Sequence, residues 1–258
     1  MPRPAVYDCT MRTSFHRIAY EALEVCNPLR LEAIEDAIEA AGLAPGSRAL
    51  DIGAGNGRIS ILLADRFGLA VEAVELDPAM AMLAAERIAA AEPSIALHRE
   101  PSWAVLGRSA PYDLIVAIGT TEPSAPGVRD PQAMLAGLAR QVAEGGIILW
   151  GDLFWIGAPP EPLRQIVEMA NTYESHEGWQ AAARAAGLVV RQAALSDNDS
   201  WAHYTATMDA AARAWLAENP DAPEATAVRV AADRVKAMLE FGRPYLGFGL
   251  YLLEKPAG

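Results

Sequence analysis

Residues 49–58 read Ala49-Leu50-Asp51-Ile52-Gly53-Ala54-Gly55-Asn56-Gly57-Arg58, an apolar run that ends in an acid and a glycine-rich turn. A second apolar run, Val71 to Val74, ends in the acid Glu75. Glycines at alternate positions let a backbone pass close to a ligand, and an acid after the next strand can bind the two hydroxyls of a ribose. The two segments together predict a bound nucleoside.

The spacing of the glycines separates two classes of nucleoside cofactor. Dinucleotide-binding turns follow G-x-G-x-x-G, whose third glycine lets helix and strand pack while a pyrophosphate sits on the helix N-terminus. Here the glycines follow G-x-G-x-G, and position 58 is arginine. Asp51 at the end of the first strand suits a cation or an ammonium better than a pyrophosphate. The turn therefore favours a nucleoside without phosphates.

Apolar runs and helical patterns alternate along the chain, which predicts a parallel sheet with helices on both faces. The predicted strands lie at 48–52, 71–75, 95–99, 112–118, 147–151, 188–195 and 245–254. The predicted helices lie at 57–67, 78–91, 131–143, 162–172 and 177–186, with two more in 14–41 separated by Pro28. Residues 197–244 carry helical spacing and are too many for a hairpin loop, so they form a lid or a dimer contact.

Composition excludes several classes of partner. The chain of 258 residues has a formal net charge of -12, which opposes nucleic acid because phosphate backbones are bound by clustered Lys and Arg. Its two cysteines, Cys9 and Cys26, have no metal-like spacing, so we expect neither a metal site nor a disulfide framework. No apolar run approaches the roughly 20 residues of a bilayer span, so we expect a soluble, cytoplasmic protein without a membrane partner.

The sequence resembles the class I S-adenosylmethionine-dependent methyltransferases from about Leu43 to Glu254. The family's first motif is similar to residues 51–57, its second to Glu75-Leu76-Asp77-Pro78, and the turn before its fifth strand to Glu144-Gly145-Gly146. Further similarity to uncharacterised bacterial members lies in Asn27-Pro28-Leu29, in residues 151–155, and in Trp201 to Tyr204 before the long insert.

The resemblance implies a Rossmann-like fold and S-adenosylmethionine as cofactor, with S-adenosylhomocysteine as product. We expect one α/β domain over 1–258, in three α/β/α layers, whose seven-stranded, mostly parallel sheet has an antiparallel last strand. An N-terminal helical cap would span 1–45, the sheet core 46–196 and 245–258, and the helical lid insert 197–244.

The resemblance also assigns cofactor contacts. The glycine turn would lie under the methionine moiety, Glu75 would bind both ribose hydroxyls, and the segment from Glu100 to Trp103 would flank adenine. The expected cofactor-binding residues are Asp51, Gly53, Ala54, Gly55, Asn56, Gly57, Glu75, Leu76, Ser102, Trp103, Ile118 and Gly119.

Methyl transfer from a sulfonium requires an aligned acceptor, a dry site, and removal of a proton if the acceptor carries one. The candidate bases are Asp152, Glu122, His16, His203 and Tyr204, of which the first two follow strands that end at the crevice. Thr120 and Glu122 are candidate contacts to the acceptor.

The net negative charge, together with the N-terminal helical cap and the helical lid insert, favours a small-molecule acceptor in an enclosed pocket. A homodimer is compatible with the helical insert. Two alternatives stay open: an NAD-dependent oxidoreductase, which shares the strand, glycine turn and ribose acid, and a non-catalytic nucleoside-binding relative of the fold.

Overall fold

The computed structural model describes residues 14–91, 93–169 and 171–258. Within these ranges the strands are β1 (Arg48–Ile52), β2 (Ala70–Val74), β3 (Ile95–His98), β4 (Tyr112–Ile118), β5 (Val142–Trp155), β6 (Val189–Leu195) and β7 (Leu246–Glu254). The helices are α1 (Phe15–Glu21), α2 (Leu31–Ala41), α3 (Arg58–Asp65), α4 (Pro78–Ala91), α5 (Ser102–Ser109), α6 (Pro131–Ala139), α7 (Glu161–Val167), α8 (His176–Ala185), α9 (Asn198–Glu218) and α10 (Ala225–Gly242).

The seven strands form one sheet in the order β3-β2-β1-β4-β5-β7-β6. β7 runs antiparallel to both of its neighbours, β5 and β6, and the other neighbouring strands are parallel. This confirms the predicted seven-stranded sheet with an antiparallel last strand. The strand order reverses between β1 and β4, and open α/β sheets bind ligands at the carboxyl ends of the strands beside such a point.

Helices cover both faces of the sheet, as the alternating pattern predicts. On one face α2, α3, α9 and α10 contribute to a core that includes Ile34 and Ile38. On the other face α5, α6 and α8 pack on a core that includes Trp150 and Trp179. Burial of apolar surface at about 25 cal/mol per Å2 is the main stabilising contribution in both layers.

Four elements differ from the sequence prediction by more than two residues. α6 ends at Ala139 instead of 143, α7 ends at Val167 instead of 172, and β5 begins at Val142 instead of 147. The short helix α5 was not predicted, because Ser102, Gly107 and Ser109 give its eight residues little helical propensity. β5 extends to Trp155 instead of ending at 151, because residues 152–155 continue the antiparallel ladder with residues 246–249 of β7. β5 therefore continues four residues beyond its predicted carboxyl end.

The insert between β6 and β7 forms a helical pair. α9 packs against both α10 and α1. The pair is also joined by polar contacts, since Asp209 of α9 accepts a hydrogen bond from Lys236 Nζ of α10 at 2.8 Å. None of the helices within the described ranges has the length and hydropathy of a membrane-spanning segment.

Candidate active site

The glycine turn after β1 is shaped by close approaches that exclude side chains. Gly53 has a φ of 70°, and a Cβ there would lie 2.7 Å from Cγ2 of Thr120. Gly55 has a φ of 56°, and a Cβ there would lie 3.0 Å from Sγ of Cys26. L-residues with side chains rarely adopt such positive φ angles. The turn thus leaves bare backbone at the carboxyl end of β1, beside the reversal of strand order.

Glu75 follows β2 and its carboxylate is held from two sides. Oε2 accepts a hydrogen bond from the amide of Gly55 at 2.9 Å, and Oε1 accepts one from the amide of Asp77 at 2.8 Å. Burial raises the pKa of Glu75, against the lowering effect of these amides. Each carboxylate oxygen can accept more than one hydrogen bond, so both retain capacity for a pair of hydroxyls. The side chain is only partly buried, which leaves that capacity accessible.

Three of the predicted cofactor residues point into the protein. Asp51 is buried and accepts a hydrogen bond from the Ser60 hydroxyl at 2.5 Å; burial raises its pKa to about 6. Asn56 donates from Nδ2 to backbone carbonyls of residues 20, 23 and 24. Ala54 is buried, and its amide donates to the carbonyl of Val74. These three side chains support the turn from behind.

Large apolar side chains stay exposed where adenine is expected. Leu76 after β2 is 50% exposed, and Trp103 in the first turn of α5 is 43% exposed. The preceding Ser102 is buried and donates to the carbonyl of Pro123, which ties the start of α5 to the segment after β4. An exposed indole and an exposed leucine can sandwich a flat apolar base.

The N-terminal cap, comprising α1, α2 and residues 22–30, covers the glycine turn. The three carbonyls bound by Asn56 belong to it, and Cys26 lies against Gly55. Burial raises the pKa of the Cys26 thiol to about 12, so the thiol stays protonated and unreactive. Cys9 lies outside the described residues.

The cap also meets the lid, which comprises α9 and α10. The hydroxyls of Tyr20 and Tyr204 are 3.3 Å apart. Burial is the main cause that raises the pKa of both phenols, and Cys26 lies close enough to add to it. Sequence reasoning singled out Tyr204 but missed Tyr20, because only the packing of α1 on α9 brings the two together.

The two candidate histidines lie on different surfaces. His16 of α1 lies 5.4 Å, ring centroid to ring centroid, from Tyr20, and its pKa is lowered by desolvation, which the nearby negative charge of Asp77 opposes. It therefore borders the side of the crevice where Glu75 and Asp77 lie. His203 of α9 is exposed and lines a separate groove between the cap and α9.

The segment after β4 holds Thr120 and Glu122. Ile118 and Gly119 are joined to β5, since the Gly119 amide donates to the carbonyl of Gly151 at 2.7 Å. Thr120 is buried, and within the described residues its hydroxyl has no hydrogen-bond partner. Glu122 instead accepts hydrogen bonds from the Gly127 amide and from Arg129 Nε, both of which lower its pKa.

Asp152 lies within β5, in the part that pairs with β7 beyond the predicted strand end, and is buried, with 3% of its surface exposed. Its Oδ2 accepts a hydrogen bond from Asn171 Nδ2 at 3.2 Å, and its Oδ1 accepts one from the amide of Leu153. Burial raises the pKa of Asp152 to about 7. Asn171, which sequence reasoning missed, is itself buried, and its Oδ1 has no partner within the described part of the chain.

The residues at this crevice fit an adenosyl sulfonium cofactor. The carboxyl ends of β1 and β2 are lined by bare glycine backbone, by the partly buried Glu75 carboxylate with free acceptor capacity, and by exposed apolar side chains. Arg58 occupies the position of a third glycine and begins α3, where a dinucleotide turn would need close helix–strand packing.

Comparisons with known proteins agree with this geometry. Residues 49–146 match the family described as "Methyltransferase domain". The uncharacterized protein YjhP of Escherichia coli (strain K12) is 26% identical over 251 residues, which is 95% of this chain and 96% of YjhP.

Solved structures show the same architecture. A SAM-dependent methyltransferase from Geobacter sulfurreducens, in complex with S-adenosyl-L-homocysteine, superposes with a TM-score of 0.77 at 26% identity over 93% of this chain and 96% of that one. A SAM-dependent methyltransferase from Thiobacillus denitrificans, also in complex with S-adenosyl-L-homocysteine, gives 0.76 at 25% identity over 98% and 99%. Residues 49–146 thus match a methyltransferase domain, and nearly the whole chain is similar to SAM-dependent methyltransferases of known structure and to the uncharacterized protein YjhP.

Proposed function

We propose that the protein transfers a methyl group from S-adenosylmethionine to a small organic acceptor held between the cap and the lid. The observation that carries the proposal is the convergence of Glu75, the bare glycine turn and the cap on one crevice. The lid supports a small acceptor, because Tyr204 closes onto the cap beside the turn. The net charge of -12 further disfavours polyanionic acceptors.

Bound S-adenosylmethionine would supply an electrophilic methyl group on a positively charged sulfur. Glu75 would hold the ribose hydroxyls, the backbone around Gly53 and Gly55 would border the methionine portion, and Leu76 and Trp103 would flank adenine. The cap and lid would exclude water from the crevice, which keeps the acceptor aligned and unsolvated.

The proposal assigns proton removal to Asp152. Asp152 lies in β5 beside the end of β4, where Ile118 pairs with Gly151, and Asn171 fixes its orientation. A carboxyl whose pKa is raised by burial to about 7 can take up a proton near neutral pH. Glu122 is a weaker base because its ion pair with Arg129 lowers its pKa. Tyr204 keeps its proton, since burial raises its pKa well above 10, and would act as a hydrogen-bonding group.

Thermal unfolding with added ligands tests the donor, and a methyl-transfer assay tests the reaction. S-adenosylmethionine and S-adenosylhomocysteine are expected to raise the Tm, and NAD is expected to leave it unchanged. Stabilisation by NAD alone would favour the oxidoreductase alternative. Tight binding of S-adenosylhomocysteine without methyl transfer to a broad panel of small metabolites would favour a non-catalytic relative.

A further inference from the structure

A second concavity lies next to the crevice, between residues 23–32 of the cap and the first turns of α9. This cap–lid groove has a volume of about 310 Å3. Its wall includes the apolar side chains of Leu23, Val25, Leu29 and Leu31. Sites for small organic ligands measure about 300–1,000 Å3 and combine apolar walls with a few polar groups. The groove therefore has the size and lining of a site for a small ligand.

One side chain joins the groove to the crevice. Tyr204 lines the groove, and its hydroxyl lies 3.3 Å from that of Tyr20. The carbonyl of Tyr20 accepts a hydrogen bond from Asn56 of the glycine turn at 3.1 Å. The groove is thus linked to the glycine turn through Tyr204 and Tyr20.

Asn27 provides a polar group inside the groove. The residue is 6% exposed and lines the groove, and its Oδ1 accepts a hydrogen bond from the Leu29 amide at 3.1 Å. Within the described residues its Nδ2 donates no hydrogen bond. Nδ2 is therefore free to donate a hydrogen bond to an oxygen atom of a molecule bound in the groove.

The charged groups of the groove favour a cation. Glu32 and Asp199 line it, are exposed, and form no ion pair within the described ranges. Arg30 is neutralised by Asp197 at 3.0 Å, and Glu24 faces Arg58 at 3.5 Å. The N-termini of α2 and α9 offset only about half a charge each, so an excess of negative charge remains.

We propose that the cap–lid groove binds the non-reacting part of the methyl acceptor, and that this part is a small amphipathic amine. The ammonium would lie between Glu32 and Asp199, the apolar portion would pack on Leu23 and Val25, and an oxygen would accept from Asn27 Nδ2. This inference rests on the proposed function, because the occupant of the groove is the acceptor of that reaction.

Proton NMR of the histidine rings locates a ligand in the groove, since the chain has only four histidines. His203 lines the groove, and the His203→Gln variant identifies its resonance. The probes are phenethylamine and its neutral and anionic counterparts, 2-phenylethanol and 3-phenylpropionate, each titrated into protein saturated with S-adenosylhomocysteine. We expect phenethylamine to shift the His203 resonance saturably while His16, His98 and His176 stay unchanged.

Charge variants test the class of ligand. Phenethylamine should bind at least about fivefold more tightly than the alcohol, and the double variant Glu32→Gln/Asp199→Asn should weaken the amine alone by about fivefold. Asp36→Asn is the matched control, because Asp36 is exposed on the same helix and lies outside the groove. Both altered carboxylates are exposed, so the double variant is expected to fold.

The outcomes separate this inference from the proposed function. Four outcomes, each observed with S-adenosylhomocysteine bound, would overturn the groove assignment alone. They are equal affinity for the three probes, no binding of phenethylamine at millimolar concentration, no effect of the double variant, and a shift at His16 instead of His203. Failure of S-adenosylhomocysteine to bind would overturn the proposed function, and with it the identification of the occupant as acceptor.

Discussion

The hydroxyl of Tyr20, in the last turn of α1, lies 3.3 Å from the hydroxyl of Tyr204 in α9. The two residues are far apart in sequence, so this contact joins the N-terminal cap to the lid directly. Both rings are largely surrounded by protein, which raises the pKa of both phenols and keeps the protons available for hydrogen bonding. The contact closes the cap and lid over the glycine turn.

A double-mutant cycle measures this contact. Tyr20→Phe and Tyr204→Phe should each lower the free energy of unfolding in urea, and their coupling energy should be about 1 kcal/mol, since either change alone removes the same hydrogen bond. Tyr245→Phe, combined with Tyr20→Phe, serves as the additive control. Additivity of the two cap–lid changes within about 0.3 kcal/mol would show that the hydroxyls do not interact.

Glu75→Gln should weaken binding of S-adenosylhomocysteine by about tenfold or more in titration calorimetry. The change removes a charged acceptor, and hydrogen bonds to charged groups contribute about 1.5–3 kcal/mol. It also places an amide NH2 against one of the backbone donors, the amides of Gly55 and Asp77. Glu86→Gln is the control, because Glu86 lies on α4 and its carboxylate forms an exposed ion pair with Arg17 of α1. An unchanged Kd in a folded Glu75→Gln protein would contradict the ribose assignment.

Gly53→Ala should lower the free energy of unfolding by about 2 kcal/mol or more, because it combines an unfavourable φ with a methyl placed 2.7 Å from Cγ2 of Thr120. Adding Thr120→Ser, which removes that Cγ2, should recover part of the loss. Gly145→Ala isolates the backbone effect, because its φ is 74° and its side is open. Equal losses at positions 53 and 145, measured in urea, would argue against the close contact.

Asp152 should make stability fall as pH rises toward neutrality. Its pKa is raised from 3.8 to about 7 in the folded protein, so between these values the folded state holds a proton that the unfolded state has lost. The stabilisation is complete below pH 4 and is lost as the pH passes 7. Relative to Asp152→Asn, the wild type should lose up to about 4 kcal/mol across this window. Asp51, which titrates in the same direction, is present in both proteins and cancels.

The same carboxyl sets an expected pH profile for catalysis. If Asp152 takes up the acceptor's proton, kcat/KM should rise with a midpoint near pH 7 in the wild type. Asp152→Asn should abolish this rise, and Glu122→Gln should preserve it, because Arg129 already holds Glu122 ionised. A rise retained in the Asp152→Asn protein would assign the proton to another group.

Sequence patterns predicted the sheet well because its signals are local. Each strand is a short apolar run, and the glycine turn marks the place beside β1 where the strand order reverses. α5 was not predicted, because its eight residues have little helical propensity. They form a helix because Val105 and Leu106 pack into the core. The carboxyl end of β5 was not predicted, because it pairs with β7, which lies almost a hundred residues later in the chain.

The candidate site was less predictable, because its side chains are arranged by long-range packing. Glu75 could be proposed from its position after a strand, but nothing local reveals that Asn56 binds the carbonyls of the cap. Likewise Asn171 contacts Asp152 only because the segment before α8 folds back on β5. The placement of His203 in a separate groove follows from the rotation of α9, which sequence spacing does not define.

The insertion point of α9 and α10 bears on how such enzymes diversify. The insert leaves β6 and returns to β7 at neighbouring positions, since the Ser196 amide donates to the carbonyl of Phe248 at 2.9 Å. Its two ends are therefore already clamped together by the sheet, and added or deleted helical residues cost little closure entropy. Changes in the length of these helices therefore leave the strand register of the cofactor-binding half of the sheet in place.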